Sequence, residues 1–321
     1  MTASNPPRDE SRIRIRPGGR PFPGGHLDST AQLMNRISSQ LGSQLGLVSL
    51  DGTRRPAPPA LVLVGHGSRD PRALSTIRTL MDRIRELRPG LPVHLGHIEL
   101  NEPLLPDTLA GLGTGDAVLV PLLLSRGYHV KQDIPEAAAA SSARIRIAAP
   151  LGPHPLLVET LYERLVEAGW HTRPSGPGGL SGVGHLGGSG FGSGDAERRA
   201  SGVVLAAAGS RDPDAAADTR RTAELLAERL GVPVVPAYAS AAAPTVAHAV
   251  RALAARGRHR IAVASYFTAP GRFSAECAAA APWIAAAPLG AHPSMARLVL
   301  HRYDQASATQ AVTRPTLAAA G

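Results

Sequence analysis

Cysteine is almost missing from this chain. Cys277 is the only one in 321 residues, which excludes an internal disulfide and any cysteine-rich metal site. Aromatic residues make up 3%, so aliphatic side chains must build the cores, and stacking platforms for single-stranded nucleic acid are not to be expected. No apolar run reaches the roughly 18 residues of a membrane helix. The longest useful stretch, Ala117 to Leu124, is interrupted by Pro121. The N-terminus is rich in Arg, Pro and Gly without an apolar centre, so it does not read as a secretory signal. Lysine is as scarce as cysteine: Lys131 stands alone against 33 arginines. That skew, with abundant Gly, Pro and Ala, fits a GC-rich bacterial genome. No block of five or six basic residues accompanies the formal net charge of +9. The charge therefore suits an anionic small ligand at least as well as nucleic acid.

Hydrophobic residues make up 43% and charged residues 18%, a globular balance, and the length suggests two domains. Residues 1–59 are rich in Pro, Gly, Arg and Ser and read as a disordered or loosely attached extension, with one short helical pattern between Ala31 and Leu45. From Ala60 apolar strand runs alternate with helical patterns up to about residue 171. Leu61–Val64, Pro92–Ile98, Ala117–Leu124 and Arg144–Ala148 read as strands, and the segments between and after them as helices. This alternation predicts an α/β fold with a doubly wound parallel sheet covered on both faces. Residues 172–200 form a Gly/Ser/Pro-rich linker by composition. Gly182, Gly184 and Gly187 in it match a dinucleotide fingerprint, but no strand precedes them, so that reading fails.

After the linker the first half returns. Val203 to Pro213 matches Leu61 to Pro71 at an offset of 142 residues, and both end in Gly-Ser-Arg-Asp-Pro. Pro288-Leu289-Gly290-Ala291-His292-Pro293 matches Pro150-Leu151-Gly152-Pro153-His154-Pro155 at an offset of 138. The chain is thus read as a tandem duplication: 60–171, then 201–304, then a tail from 305 to 321. Two homologous domains are expected to face a central cleft.

The repeat is an internal comparison. Features present in both halves point to structure, and polar residues present in one half point to a site. His66 becomes Ala208, His129 becomes Phe273, Glu99 becomes Ser240 and Glu102 becomes Ala243. All four residues of the first half follow predicted parallel strands, at the carboxyl edge where α/β proteins bind ligands. Imidazoles and carboxylates there can bind a divalent metal or accept protons. Each also has a plainer reading. His66 can bond a tight Gly-x-Gly turn, and His129 can be a surface residue. Glu102 can be a first-turn acid favoured by the helix dipole. His154 and His292 occur in both halves and are read as structural, and Cys277 as an inert core residue. Lys131 can hold an anion or be incidental.

Val64-Gly65-His66-Gly67-Ser68-Arg69 after a first strand resembles the opening motif of the CbiX/SirB-type sirohydrochlorin chelatases. Ile98-Glu99-x-x-Glu102-Pro103 is similar to the second-strand segment of that family. Leu122 to Pro135, with Tyr128-His129 and Asp133-Ile134-Pro135, is similar to its third-strand segment. Order and spacing are kept, and the second half resembles the second domain of the long members. The resemblance implies two class II chelatase-like domains and a lyase-type enzyme that inserts Fe²⁺, or alternatively Co²⁺, into sirohydrochlorin for siroheme or cobalamin synthesis. His66 and His129 would be the metal-binding and catalytic pair, with Glu99, or else Glu102, assisting as acid and ligand. Arg69, Arg126 and Lys131 would meet substrate carboxylates. No tightly bound cofactor, membrane or nucleic-acid partner is implied, and a cytoplasmic location is expected. A metal or tetrapyrrole carrier of the same fold is the competing reading.

Overall fold

The computed structural model describes residues 57–171 and 193–308. The helical pattern between Ala31 and Leu45 and the glycines from Gly182 to Gly187 lie outside them. The first half runs β1 (Ala60–Gly65), α1 (Pro71–Leu87), β2 (Val93–His97), α2 (Leu105–Gly111) and β3 (Asp116–Pro121), then α3 (Tyr128–Lys131), α4 (Asp133–Ala140), β4 (Arg144–Ile147) and α5 (Pro155–Glu167). The second half runs α6 (Ser193–Ala200), β5 (Ser201–Ala207), α7 (Pro213–Leu230), β6 (Val234–Tyr238) and α8 (Val246–Ala254), then β7 (Arg260–Tyr266), α9 (Arg272–Ala279), β8 (Ile284–Ala285) and α10 (Pro293–Ser307). Each half is a four-stranded parallel sheet, ordered β2-β1-β3-β4 and β6-β5-β7-β8. The expected pair of homologous α/β domains is present. Two boundaries move. The last eight residues of the compositional linker form α6, because Gly and Ser give way there to the helix-forming sequence Ala196-Glu197-Arg198-Arg199-Ala200. The last helix, α10, continues to Ser307.

The shared Gly-Ser-Arg-Asp-Pro motif is a helix start. Asp70 accepts a hydrogen bond from the Arg72 backbone N–H at 2.9 Å, and Pro71 fills the first turn of α1. Asp212 and Pro213 begin α7 in the same way. His154 and His292 cap α5 and α10 by accepting from Leu156 and Ser294 backbone N–H groups, the structural role their repetition suggested. Cys277 is buried in the second half, and burial pushes its thiol up to about 11, so it stays protonated and inert.

The strands alternate strictly between two faces. Leu61, Leu63, Val118, Val120, Val203 and Leu205 point into one core shared by both halves. Val62, Val64, Ala117 and Leu119 point into a core private to the first half, and Val204, Ala206 and Val263 into one private to the second. The shared core is closed by exchange of the last helices. α10 packs on α1 and β3, α5 packs on α7 and β7, and the two helices pack on each other. Arg164 of α5 donates to the Leu289 carbonyl at 3.0 Å, and its counterpart Arg302 of α10 reaches the Leu151 carbonyl at 3.4 Å. The contacts therefore repeat about a pseudo-twofold axis, as they would in a symmetric dimer.

Candidate active site

In the first sheet, β1 connects outward to β2, and the chain then returns to β3 on the other side of β1. The crevice outside the carboxyl ends of β1 and β3 is thus a topological switch point. His66 leaves β1 and His129 sits just beyond β3, so the two loops flanking that crevice each present an imidazole. Their ring centroids are 4.7 Å apart and the rings are perpendicular. Both side chains are partly open to solvent, at 43% and 34%.

Each imidazole turns Nδ1 toward a carboxylate. His66 Nδ1 lies 3.5 Å from Glu99 Oε1, and His129 Nδ1 lies 2.5 Å from Asp133 Oδ2. The outer nitrogens, Nε2, are left for chemistry, in the carboxylate–histidine arrangement that sets ring tautomer and orientation. The residue types responsible are local. His129 and Asp133 are four apart across the α3–α4 junction. That junction breaks because Pro135 has no N–H for the Lys131 carbonyl. Glu99 is placed by backbone: its N–H donates to the His66 carbonyl at 3.0 Å, and Ile98 N–H to the Gly65 carbonyl at 2.9 Å. Gly67 adopts φ +105°, where a side chain would collide with the Glu99 carbonyl. Asn101 Oδ1 accepts from Ser68 N–H at 2.6 Å and closes the loop.

The structure separates the two acidic candidates. Glu99 reaches His66, while Glu102 accepts from Leu104 N–H at 3.1 Å, ahead of α2. Glu99 sits on the inner nitrogen of His66, a position from which it can orient the ring. Among the described residues no group of three His, Cys, Asp or Glu side chains converges as a metal site.

The expected substrate cations divide as well. Arg126 donates from its backbone N–H, Nε and Nη2 to Asp218 at 2.9, 3.0 and 2.7 Å, and Asp218 is buried on α7 of the second half. Lys131 Nζ lies 2.7 Å from Asp212 and 2.9 Å from Asp214. Both cations are thus engaged in joining the halves. Arg69 remains exposed, as does its counterpart Arg211. The loop carrying Arg211 lies against the His129 loop: a Cβ on Gly127 would approach Ser210 Oγ to 3.8 Å, and one on Gly271 would approach Ser68 Oγ equally. In the second half the backbone repeats this plan, with Ser240 N–H donating to the Ala208 carbonyl at 3.0 Å. Its side chains there are Ala208 and Phe273, without an imidazole.

Asp133 belongs to the third-strand motif but carries no assigned role there, and Arg211 stands in the sequence only as the repeat counterpart of Arg69. The i,i+4 spacing to His129 was the available signal for Asp133. Nothing in the linear sequence places Arg211 beside the first half.

A CbiX family model matches the chain twice, over residues 60–168 and 202–306. The chain belongs to the CbiX family. The first CbiX repeat carries the histidine pair and the second lacks it. The chain is 38% identical over 80 residues to the sirohydrochlorin cobaltochelatase of Methanococcus aeolicus, covering 24% of this chain and 56% of that protein. It is 28% identical over 195 residues to the sirohydrochlorin ferrochelatase of Bacillus subtilis, covering 58% of this chain and 64% of that protein. The aligned stretches thus span less than two thirds of either relative. The structure of SirB from Bacillus subtilis with Fe³⁺ superposes with a TM-score of 0.60 at 23% identity, covering 78% of this chain and 96% of that one, a likeness of fold. Among the described residues no helix is long and apolar enough to cross a membrane.

Proposed function

We propose that this CbiX protein is a sirohydrochlorin chelatase that inserts Fe²⁺, with Co²⁺ the competing ion, using His66 and His129. The observation that carries this reading is the histidine pair at the β1/β3 crevice. With ring centroids 4.7 Å apart, the two imidazoles are near enough for both to reach one ion. Both a ferrochelatase and cobaltochelatases are among the relatives, so iron is put first only as the reading to be tested against cobalt.

Metallation must strip water from the ion and remove two pyrrole protons from the macrocycle. Two neutral imidazoles hold the ion on one face and leave positions open for ring nitrogens. As the ring nitrogens take over, the same Nε2 atoms accept the released protons. Glu99 and Asp133 stabilise the imidazolium that results. The absence of a thiolate keeps the ion exchangeable. Arg69 and Arg211 approach the tetrapyrrole carboxylates from the two halves, and the net positive charge steers the anionic substrate. No resident cofactor is needed. The protein acts in the cytoplasm, with siroheme as the pathway expected for iron.

The test is anaerobic metallation of sirohydrochlorin with each ion, followed by absorbance. His66→Ala and His129→Ala should each lower turnover at least about a hundredfold with the fold intact. Near-normal turnover in both would remove the proposed site. A carrier would instead stop at one equivalent of product.

A further inference from the structure

The pseudo-twofold relates two clusters whose contents differ. His154 and His292 each use Nδ1 to accept a helix-start N–H, which leaves Nε2 as the donor. Each ring lies against the third turn of the opposite helix. Around His292 that turn is acidic. Glu163 Oε2 is 2.7 Å from His292 Nε2, an ion-pair approach, and Glu167 accepts from Arg164 Nη1 at 2.6 Å. One histidine and one arginine thus face two carboxylates.

Around His154 the histidine and the arginine are kept and both carboxylates are gone. His301 stands where Glu163 stands in the other half, its ring centroid 4.9 Å from that of His154. Gln305 replaces Glu167 and accepts from Arg302 Nη1 at 3.1 Å. Arg302 Nε is buried without a hydrogen-bond partner, and Nη2 reaches the Leu151 carbonyl only at 3.4 Å. Arg164 uses the same guanidinium edge for two bonds to the Leu289 carbonyl, at 3.2 and 3.0 Å. A buried donor left unpaired carries its full desolvation penalty, so the cluster favours an acceptor. The charges bearing on His154 are those of Arg302 and His301, both repelling its proton, and with burial, the larger cause, they bring it down to about 4. Around His292, Glu163 and Glu167 act the other way, while burial, Arg164 and Arg83 still hold it below its ordinary value.

We propose that His154, His301 and Arg302 bind an exogenous oxyanion, a single carboxylate or phosphate group, which supplies beside His301 the negative charge that Glu163 supplies in the other half. His154 Nε2–H, on a neutral ring, and the charged Arg302 edge are the donors, and bonds from a guanidinium to an anion are short and strong. The site follows β4, whereas the histidine pair flanks β1 and β3, so it does not depend on the chelatase reading. The oxyanion has two possible sources, a free small anion or a carboxylate arm of the tetrapyrrole.

The experiment uses the full chain. Thermal unfolding is compared in sodium chloride, acetate and phosphate at one ionic strength, and ¹⁵N spectra follow the His154 ring, assigned with His154→Gln. An anion at about ten times its Kd should raise Tm by roughly 3–5 °C and shift the His154 Nε2 resonance. His301→Glu, which restores the missing carboxylate, should itself raise Tm and abolish the anion response. If metal-free sirohydrochlorin alone shifts His154, and His301→Glu weakens its binding several-fold, the tetrapyrrole supplies the carboxylate. The proposal is overturned if acetate, phosphate and sirohydrochlorin all leave His154 unmoved. It is equally overturned if His301→Glu responds to them as the wild type does.

Discussion

Gly67→Ala tests how the backbone places the histidine pair, and the molecule contains its own control. At Gly67 φ is +105°, and an added Cβ would sit 1.8 Å from the Glu99 carbonyl oxygen. Ordinary contact requires about 3.5 Å, so the loops after β1 and β2 must part by roughly 1.5 Å. His66 precedes the strained residue and Glu99 is the group struck, so the displacement falls on the ring and on the carboxylate that orients it. A misplacement of about 1 Å at reacting groups can cost about a hundredfold in rate. Gly209 has the same geometry in the second half: φ is +96°, and a Cβ would sit 1.8 Å from the Ser240 carbonyl oxygen. Ala208, not a histidine, precedes it. Left-handed backbone costs a residue with a Cβ about 1–2 kcal/mol, or roughly 2–8 °C in Tm for a fold of this size. Gly67→Ala and Gly209→Ala should therefore lose similar Tm. Turnover should drop about a hundredfold in the first and less than about fivefold in the second. Differential scanning fluorimetry and anaerobic metallation measure the two quantities. Equal activity losses in both variants, or full activity in Gly67→Ala, would refute the placement argument.

Arg126→Ala should lower Tm while changing the KM for sirohydrochlorin less than about threefold, because its partner is the buried Asp218 and removing it strands a carboxylate. Adding Asp218→Asn should restore part of the Tm, and a large KM effect without destabilisation would return Arg126 to the substrate. His154, His97 and His292 are all held below their ordinary value of 6.5, mainly by burial, with His154 at about 4. The unfolded chain then binds more protons than the folded one between about pH 4 and 6.5, so stability is full above about 6.5 and falls as pH drops through that window. Urea unfolding at pH 7 and pH 5 should show the fall, reduced in His154→Gln; a pH-independent midpoint contradicts it. Residues 57–171 alone would expose the face of the sheet and of α5 that packs on the second half, so they should self-associate with α5 taking the place of α10. Sedimentation velocity showing a stable, fully active monomer would exclude the second half from the site.

Much of the molecule follows from short-range pattern. Apolar runs of four to eight residues bounded by Gly and Pro, alternating with helical periodicity, determined two parallel-sheet halves. Asp-Pro pairs determined where α1 and α7 begin. The duplication and the loss of His66 and His129 from its second copy were equally legible, since they need only comparison along the chain. What the tertiary structure decided were the pairings between distant residues. Glu99 rather than Glu102 meets His66 because backbone bonds tie the loops after β1 and β2, and the glycine at 67 leaves room for the Glu99 carbonyl. That Arg126 and Lys131, read from the sequence as substrate contacts, also pair with Asp218, Asp212 and Asp214 is visible only when the halves dock. The exchange of α5 and α10 and the missing carboxylates beside His154 depend on the same docking. Periodicity reports which face of an element is apolar; which partner covers that face, and which charge then stands opposite which, is settled only when the two halves close around a common core.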